Sequence, residues 1–249
     1  MKGKKKMNAI ETVKLTRRFG DLTAVNALDL TIPEGELFAL LGVNGAGKTT
    51  AIRMLCGLLP PTSGDALLLG KSIVRDTAAA KAAANLSPQE TAVAPALTVR
   101  ENLAFIAGVY GRPRKAALEA ADAMIERMGL QSVAKRRAKA LSGGWQRRLS
   151  IAMGLITDPK ILFLDEPTLG LDVLARRELW QVVEALRGKI TVVLTTHYLE
   201  EAEALSDRVG VMAHGRLIAL DTAPALIART GARNFEDAFV ALAAGREAQ

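Results

Sequence analysis

The stretch Leu37-Phe38-Ala39-Leu40-Leu41-Gly42-Val43-Asn44-Gly45-Ala46-Gly47-Lys48-Thr49-Thr50 decides the fold. Leu37 to Leu41 is an unbroken apolar block of the kind that forms a buried strand. The next residues fit G-x-x-x-x-G-K-[ST], with glycines at 42 and 47. Beyond them, Thr49 to Leu59 places Ile52, Leu55, Leu58 and Leu59 at helical spacing, up to the stop at Pro60-Pro61. A glycine turn between strand and helix lets successive backbone N–H groups converge on one phosphate, and the helix N-terminus adds positive partial charge. Lys48 is then expected to reach the β- and γ-phosphates, and the Thr49 hydroxyl to bind Mg²⁺. The competing reading is a glycine turn that binds nothing. A chance match in a chain of this length is on the order of one in a hundred, and the flanking pattern lowers that further. Nucleotide binding is the reading that stands.

Composition sets the outer limits. The 249 residues are 49% hydrophobic and 24% charged, enough to bury a sizeable core in one large α/β domain or two small ones. The lone Cys56 excludes an internal disulfide and suits a reducing cytoplasm; with no His nearby in sequence, a catalytic thiol is set aside. No run approaches the ~18 consecutive apolar residues of a spanning helix. Met1 to Lys6 is basic, but Met7 to Thr16 alternates, so no signal-peptide core follows. A net charge of +7 permits nucleic acid or an anionic membrane surface as partner, and part of it belongs to a solvated basic tail, residues 1–6.

Read in order, Asn8 to Leu15 and Asn26 to Thr31 alternate like half-buried strands around a Gly20-Asp21 turn. Asp65 to Leu69 is a further short strand, and the three suggest a small antiparallel sheet beside the nucleotide. Thr77 to Ala84 is an alanine-rich helix. Asn85-Leu86-Ser87-Pro88-Gln89-Glu90 follows, and from there to about Thr157 the pattern is almost wholly helical. Thr98 with Glu101 forms a capping box for a helix through Ala107, Pro113 opens a helix to Met128, and Leu141-Ser142-Gly143-Gly144 opens a third to Ile156. Alternation of strand and helix then resumes: strands at Ile161 to Leu164 and Ile190 to Thr195, helices at Asp172 to Leu186 and Tyr198 to Leu205, and a strand pair around His214-Gly215. One nucleotide-binding core interrupted by a helical insertion is the simplest organisation.

Phosphoryl transfer to water also needs a metal, a group to orient the water, and compensation for charge developing on the γ-phosphate. Asp165 and Glu166 follow the apolar Ile161 to Leu164 strand, at the sheet edge where such folds bind ligands. Asp165 could hold Mg²⁺ and Glu166 could orient the water; the alternative is an acidic helix-cap pair before Pro167. Ser142-Gly143-Gly144 at a helix start offers a second anion site, against an ordinary N-cap. Gln89 and His197 mean little alone.

Together these residues resemble the nucleotide-binding subunit of ATP-binding cassette (ABC) transporters, over about Met7 to Leu220 and with every motif in family order. Gly42 to Thr50 is similar to Walker A, Ile161 to Glu166 to Walker B, and Leu141 to Trp145 to the ABC signature. Gln89 resembles the Q-loop glutamine, Leu169 to Asp172 the D-loop, and His197 the switch histidine. Phe19 sits where the family usually has an aromatic stacking on adenine.

The resemblance implies a P-loop NTPase of α/β class. Its RecA-like, mainly parallel sheet has flanking helices, a small antiparallel β subdomain, and an α-helical subdomain inserted at about 90–157. The cassette is expected over 7–220, followed by a short helical tail, 221–249.

It further implies two subunits packed head to tail around two ATP molecules. Phe19, Gly42, Val43, Asn44, Gly45, Ala46, Gly47, Lys48, Thr49 and Thr50 bind ATP in cis. Ser142, Gly143 and Gly144 grip it in trans, with Asp172 coupling the two sites. Thr49, Asp165 and Gln89 serve Mg²⁺, and Glu166, His197 and Lys48 carry the catalysis.

The implied partners are a second copy or a related ATPase subunit, and integral membrane permease subunits docking around Gln89 to Arg100 at the cytoplasmic face of the cell membrane. The D-loop and the Phe235-Glu236-Asp237 region look more like the exporter branch. With the chain ending at Gln249, the regulatory domain of some sugar importers is not expected. Two departures stand out: Trp145 replaces the usual signature Gln, and Phe19 lacks the hydroxyl of the more common Tyr. The alternative is a soluble ABC-type ATPase acting on nucleic acid or the ribosome, motivated by Lys135-Arg136-Arg137-Ala138-Lys139. It is disfavoured because no coiled-coil insertion or duplicated cassette is present, so no nucleic acid is expected. A GTPase switch fails for want of an N-K-x-D motif.

Overall fold

The strand leading into the glycine loop is buried at all five positions because it runs through the middle of a sheet covered on both faces. A computed structural model describes residues 7–245; the basic stretch 1–6 and residues 246–249 lie outside the described residues. Ten strands and nine α-helices follow in order: β1 (Asn8–Phe19), β2 (Leu22–Pro33), β3 (Leu37–Leu41), α1 (Lys48–Leu55), β4 (Ser63–Leu68), β5 (Lys71–Ser72), α2 (Thr77–Ala83), β6 (Ala84–Ser87), α3 (Val99–Val109), α4 (Arg114–Arg127), α5 (Gly143–Leu155), β7 (Ile161–Asp165), α6 (Val173–Glu184), β8 (Thr191–Thr196), α7 (Leu199–Leu205), β9 (Arg208–Ala213), β10 (Arg216–Asp221), α8 (Ala223–Thr230) and α9 (Phe235–Ala244).

The central sheet has the order β10-β9-β3-β8-β7-β6. All its pairs are parallel except β9–β10, which closes one edge as a hairpin through His214 and Gly215. A second, antiparallel sheet has the order β2-β1-β4-β5. Side chains alternate across β3, so its residues feed two cores. Leu37, Ala39 and Leu41 pack with β7, β8 and the helices on one side, whereas Phe38 and Leu40 pack with Phe163, α1 and the antiparallel sheet on the other. This is the mixed α/β architecture of a P-loop NTPase.

Register along the central sheet lines up strand ends. Leu41 pairs with Thr196, Asp165 with Thr195, and Ser87 with Leu164. The residues that follow, Gly42, Glu166, His197 and Gln89, therefore leave from one edge.

Three sequence expectations need correction. Ala84–Ser87 is an edge strand, where Ala84 was expected to end a helix and residues 85–87 were given no element. Its four residues carry only Leu86 as a strong apolar signal, too short a run for periodicity to register. The first helix stops at Leu55, because Gly57 (φ +65°) turns the chain and leaves Leu58 exposed; the Pro60-Pro61 stop comes too late. Asp165 is the last residue of its strand instead of the first beyond it. The Thr98–Glu101 capping box forms as read: Thr98 Oγ1 accepts from Glu101 N, and the Glu101 carboxylate accepts from Thr98 N at 2.8 Å.

Glu201 on α7 is wholly buried, with Trp180 Nε1 donating to its Oε1 at 3.2 Å. Burial pushes its pKa up, opposed in part by the nearby Thr196 and Thr168 hydroxyls and the Trp180 N–H. A carboxyl whose pKa is raised on folding supports the fold below its unfolded value, about 4.3, and weakens it as pH climbs through the folded value. Glu201→Gln, which keeps the acceptor for Trp180, is therefore expected to raise the melting temperature clearly at pH 8 and little at pH 5. Thermal unfolding at both pH values checks this; an equal shift at both would contradict the assignment.

Candidate functional site

The glycine loop, the antiparallel sheet and three strand ends enclose a cleft of about 750 Å³, lined by Phe19, residues 44–50, Gln89, Glu166 and His197. That volume suits a small-molecule site. Two loop glycines are required by close approach. A Cβ on Gly42 would lie 2.5 Å from the Met212 carbonyl oxygen, and one on Gly47 (φ +102°) 2.3 Å from that of Ala24. The β9–β10 turn props the loop from behind, with Gly215 N donating to the Ala46 carbonyl at 3.1 Å. Gly47 caps α1, so free N–H groups of the helix start face the cleft. Lys48 is only 5% exposed: its ammonium donates to the Gly42 carbonyl at 2.7 Å and the Val43 carbonyl at 3.3 Å, and lies 3.3 Å from Glu166 Oε1.

The two acidic residues are adjacent in sequence but differently held. Asp165 Oδ1 accepts from Thr49 Oγ1 at 3.0 Å and from Thr195 Oγ1 at 2.6 Å. Glu166 has a left-handed backbone (φ +48°), uncommon for a residue with a Cβ and worth about 1–2 kcal/mol of strain. That turn is fixed by Glu166 N donating to the Thr195 carbonyl and hydroxyl oxygens, and it carries the side chain away from Asp165 into the cleft. There Oε2 meets His197 Nδ1 at 2.7 Å while Oε1 meets Lys48, a chain of three titratable side chains. The Tyr198 ring lies 4.2 Å from the imidazole.

The hard oxygens of Thr49 and Asp165, side by side, fit Mg²⁺. Among the described residues no cluster of three or more His, Cys, Asp or Glu could cage a metal.

The cleft gathers Phe19, most of the loop, Gln89, Glu166 and His197, with Asp165 beneath Thr49. It does not gather Ser142, Gly143, Gly144 or Asp172. Ser142 is exposed at the N-cap of α5 and makes no side-chain capping bond, so the expected ordinary cap is absent. Asp172 does act as a cap, its Oδ1 accepting from Ala175 N at 2.9 Å. These two helix starts adjoin: a Cβ on Gly143 would lie 3.6 Å from Leu171 Cδ2, and one on Gly144 3.1 Å from Ala175 Cβ. Trp145 is half-buried, with the Arg148 guanidinium 4.8 Å over its ring. Phe19 is 46% exposed at the cleft rim, with Arg17 stacked 4.6 Å from its ring centroid.

Several contributors were not read from sequence. Leu22, Thr23, Ala24 and His214 line the cleft but carry no motif, and Leu169, the first residue of the D-loop-like stretch, lines it as well. Thr195, which ties both acidic residues, and buried Arg147 were also missed; a threonine just after the apolar Val192-Val193-Leu194 run was the available signal for Thr195. Burial, and then Asp165, push the Cys56 thiol's pKa up.

A glycine loop at a helix start, an acidic strand end and a His–Glu pair on one sheet edge define a P-loop nucleotide-binding protein. Residues 25–169 match the family model described as "ABC transporter". The chain is 43% identical over 214 residues to the probable multidrug ABC transporter ATP-binding protein YbhF of Escherichia coli, covering 86% of this chain but 37% of that protein. It is 42% identical over 216 residues to the daunorubicin resistance ATP-binding protein DrrA3 of Streptomyces coeruleorubidus, covering 86% of this chain and 68% of that one. Among solved structures, cbiO1 from Clostridium perfringens superposes with a TM-score of 0.80 at 27% identity, over 89% of this chain and 91% of that chain. The chain belongs to the ABC transporter family as an ATP-binding protein.

Gly47→Ala introduces a Cβ against backbone at a left-handed φ. It is expected to weaken nucleotide binding at least about tenfold and to destabilise the fold by about 1–2 kcal/mol or more. A fluorescent-nucleotide titration with a parallel thermal melt checks this; parent-like affinity would contradict the close approach.

Proposed function

We propose that this chain is the ATP-hydrolysing subunit of an ABC transporter and drives substrate movement, in the export direction, through a separate membrane permease. The observation that carries the reading is a division of the phosphate machinery. Lys48, Thr49, Glu166 and His197 meet in or around one cleft with Asp165 behind them, while the uncapped helix start at Ser142 to Gly144 lies outside it. A free helix N-terminus beside two glycines is an anion site in want of an anion. Head-to-tail pairing with a second copy, or a related subunit, would bring each Ser142 to Gly144 onto the triphosphate in the other's cleft, with Asp172 at the seam. Export accords with the names of the multidrug and daunorubicin-resistance relatives.

In that assembly the loop N–H groups and Lys48 bind the β- and γ-phosphates, and Phe19, backed by Arg17, stacks on adenine. Thr49, Asp165 and Gln89 would hold Mg²⁺, whose charge offsets that of the phosphate oxygens. Glu166 orients a water and takes its proton. The water oxygen bonds to the γ-phosphorus, and the bond from that phosphorus to the β–γ bridging oxygen breaks, leaving its electron pair on ADP. His197 holds Glu166 through Nδ1 and lies where it can face the γ-phosphate. Ser142 and Gly144 of the partner stabilise charge developing on the transferred group. ATP bonded to both chains favours the closed dimer, and hydrolysis removes that preference.

Permease docking is assigned to the groove beside the Gln89 loop, where Leu86, Pro88, Ala92, Ile106 and Tyr110 line a concavity of about 130 Å³. Phe105 and Val109 are exposed on the same helix. Among the described residues no helix is long and apolar enough to cross a membrane. Attachment at the cytoplasmic face of the cell membrane through the permease follows from this reading. The cassette is assigned to 7–220, with its helical insertion at about 90–157 and a helical tail from 221. No nucleic-acid partner is proposed: the run 135–139 presents Lys135, Arg136, Arg137 and Lys139 to solvent.

Glu166→Gln should retain ATP binding, lower turnover by about 10²–10⁴, and accumulate an ATP-dependent dimer on size-exclusion chromatography. Normal hydrolysis by this variant would sink the assignment of Glu166. Lys48→Ala should lose ATP binding; unchanged affinity by calorimetry would undermine the loop's role.

A further inference from the structure

We propose that Arg147 is the positioning residue for Gln89, clamping the Gln89 loop to the helix that begins with Ser142-Gly143-Gly144. This rests on the site assignment above and adds a residue to it. Arg147 lies on α5, five residues after Ser142, and is 5% exposed. Strand β6 ends at Ser87, and beyond it the guanidinium takes over: Nη1 donates to the Pro88 carbonyl at 2.7 Å and Nη2 to the Gln89 carbonyl at 2.5 Å. One planar fork thus holds two consecutive carbonyls, a geometry that lysine cannot copy. One turn further along α5, the Ser150 hydroxyl meets the Ser87 hydroxyl at 2.9 Å. The helix grips residues 87, 88 and 89 with two side chains.

Burying a guanidinium is costly unless it is hydrogen-bonded and its charge is answered. The fields of Asp165 and then Glu201 oppose that cost here. An apolar side chain would suffice for packing alone. What the cation adds is a directional hold on a loop whose Gln89 side chain lines the cleft. A shift of α5, when its N-terminus engages an anion, would then carry Gln89 with it. The anion-gripping end of the helix and the metal-side glutamine become one mechanical unit within the chain.

The test compares the full chain with Arg147→Met, which removes the donors, and Arg147→Lys, which keeps the charge and restores part of the hold. Amide hydrogen exchange at Gln89 to Ala92 is expected to quicken about tenfold in the Met variant, with β3, β7 and β8 unchanged. The Mg²⁺ concentration for half-maximal hydrolysis is expected to rise about tenfold while KM for ATP stays within about twofold. The Lys variant should fall between. Unchanged exchange at Gln89 to Ala92, or an equal rise throughout the sheet, would overturn the proposal. If the Met variant does not fold, the same local comparison on the Lys variant decides. Failure of the parent chain to bind or hydrolyse ATP would count against the functional reading, whereas the exchange pattern would still decide the clamp.

Discussion

The parallel register of β3, β8 and β7 is the constraint on which the site depends. Leu41 lies beside Thr196, and Asp165 beside Thr195, so the chain emerging from each strand enters the same small volume. Parallel strands need long crossovers, and every crossover here carries at least one helix. The apolar cost of burying these strands on both sides is met by two cores, one on each face. The polar edge that remains is where the chemistry gathers.

Within that edge, Thr195 decides how two neighbouring carboxylates diverge. Its hydroxyl donates to Asp165 and accepts from the Glu166 backbone. Asp165 is thereby held down against Thr49, and Glu166, forced into a left-handed turn, is sent up between Lys48 and His197. Backbone strain at such a residue persists only when the surroundings over-determine it, and here sheet pairing on one side and an ion pair on the other do so. Adjacent residues thus acquire separate surroundings, one against Thr49 and one between Lys48 and His197.

The helical insertion is tied to this edge by polar contacts as well as packing. Asn102, almost fully buried, bonds the Ala94 backbone through both its amide groups, fixing the loop where it enters α3. Arg147 does the same at the Gln89 end. The loop between sheet and insertion is therefore anchored from two helices, while its middle is left free to face a partner.

How much of this was legible in the sequence depended on whether a feature was local. The glycine loop, the Thr98 capping box and the apolar runs of β3, β7 and β8 declare themselves, because turn chemistry, capping and hydrophobic runs act over a few residues. They sufficed for the fold class and for naming Lys48, Asp165 and Glu166 as candidates, whereas Gln89 and His197 meant little alone and were named only through the family resemblance. The strand Ala84–Ser87 was hidden, since four residues at a sheet edge are stabilised by a partner strand far along the chain. Yet that strand is what carries Gln89 to the cleft. The Lys48–Glu166–His197 chain, the role of Thr195 and the Arg147 clamp were equally invisible, for each joins residues brought together only by pairing and packing. Tertiary structure also decided that Ser142 to Gly144 stands apart from Gly42 to Thr50. Sequence by itself offered two glycine-bearing helix starts, at Gly47 and at Ser142 to Gly144; the sheet and the insertion determined that they stand apart, because α5 begins beside α6 and not beside the loop.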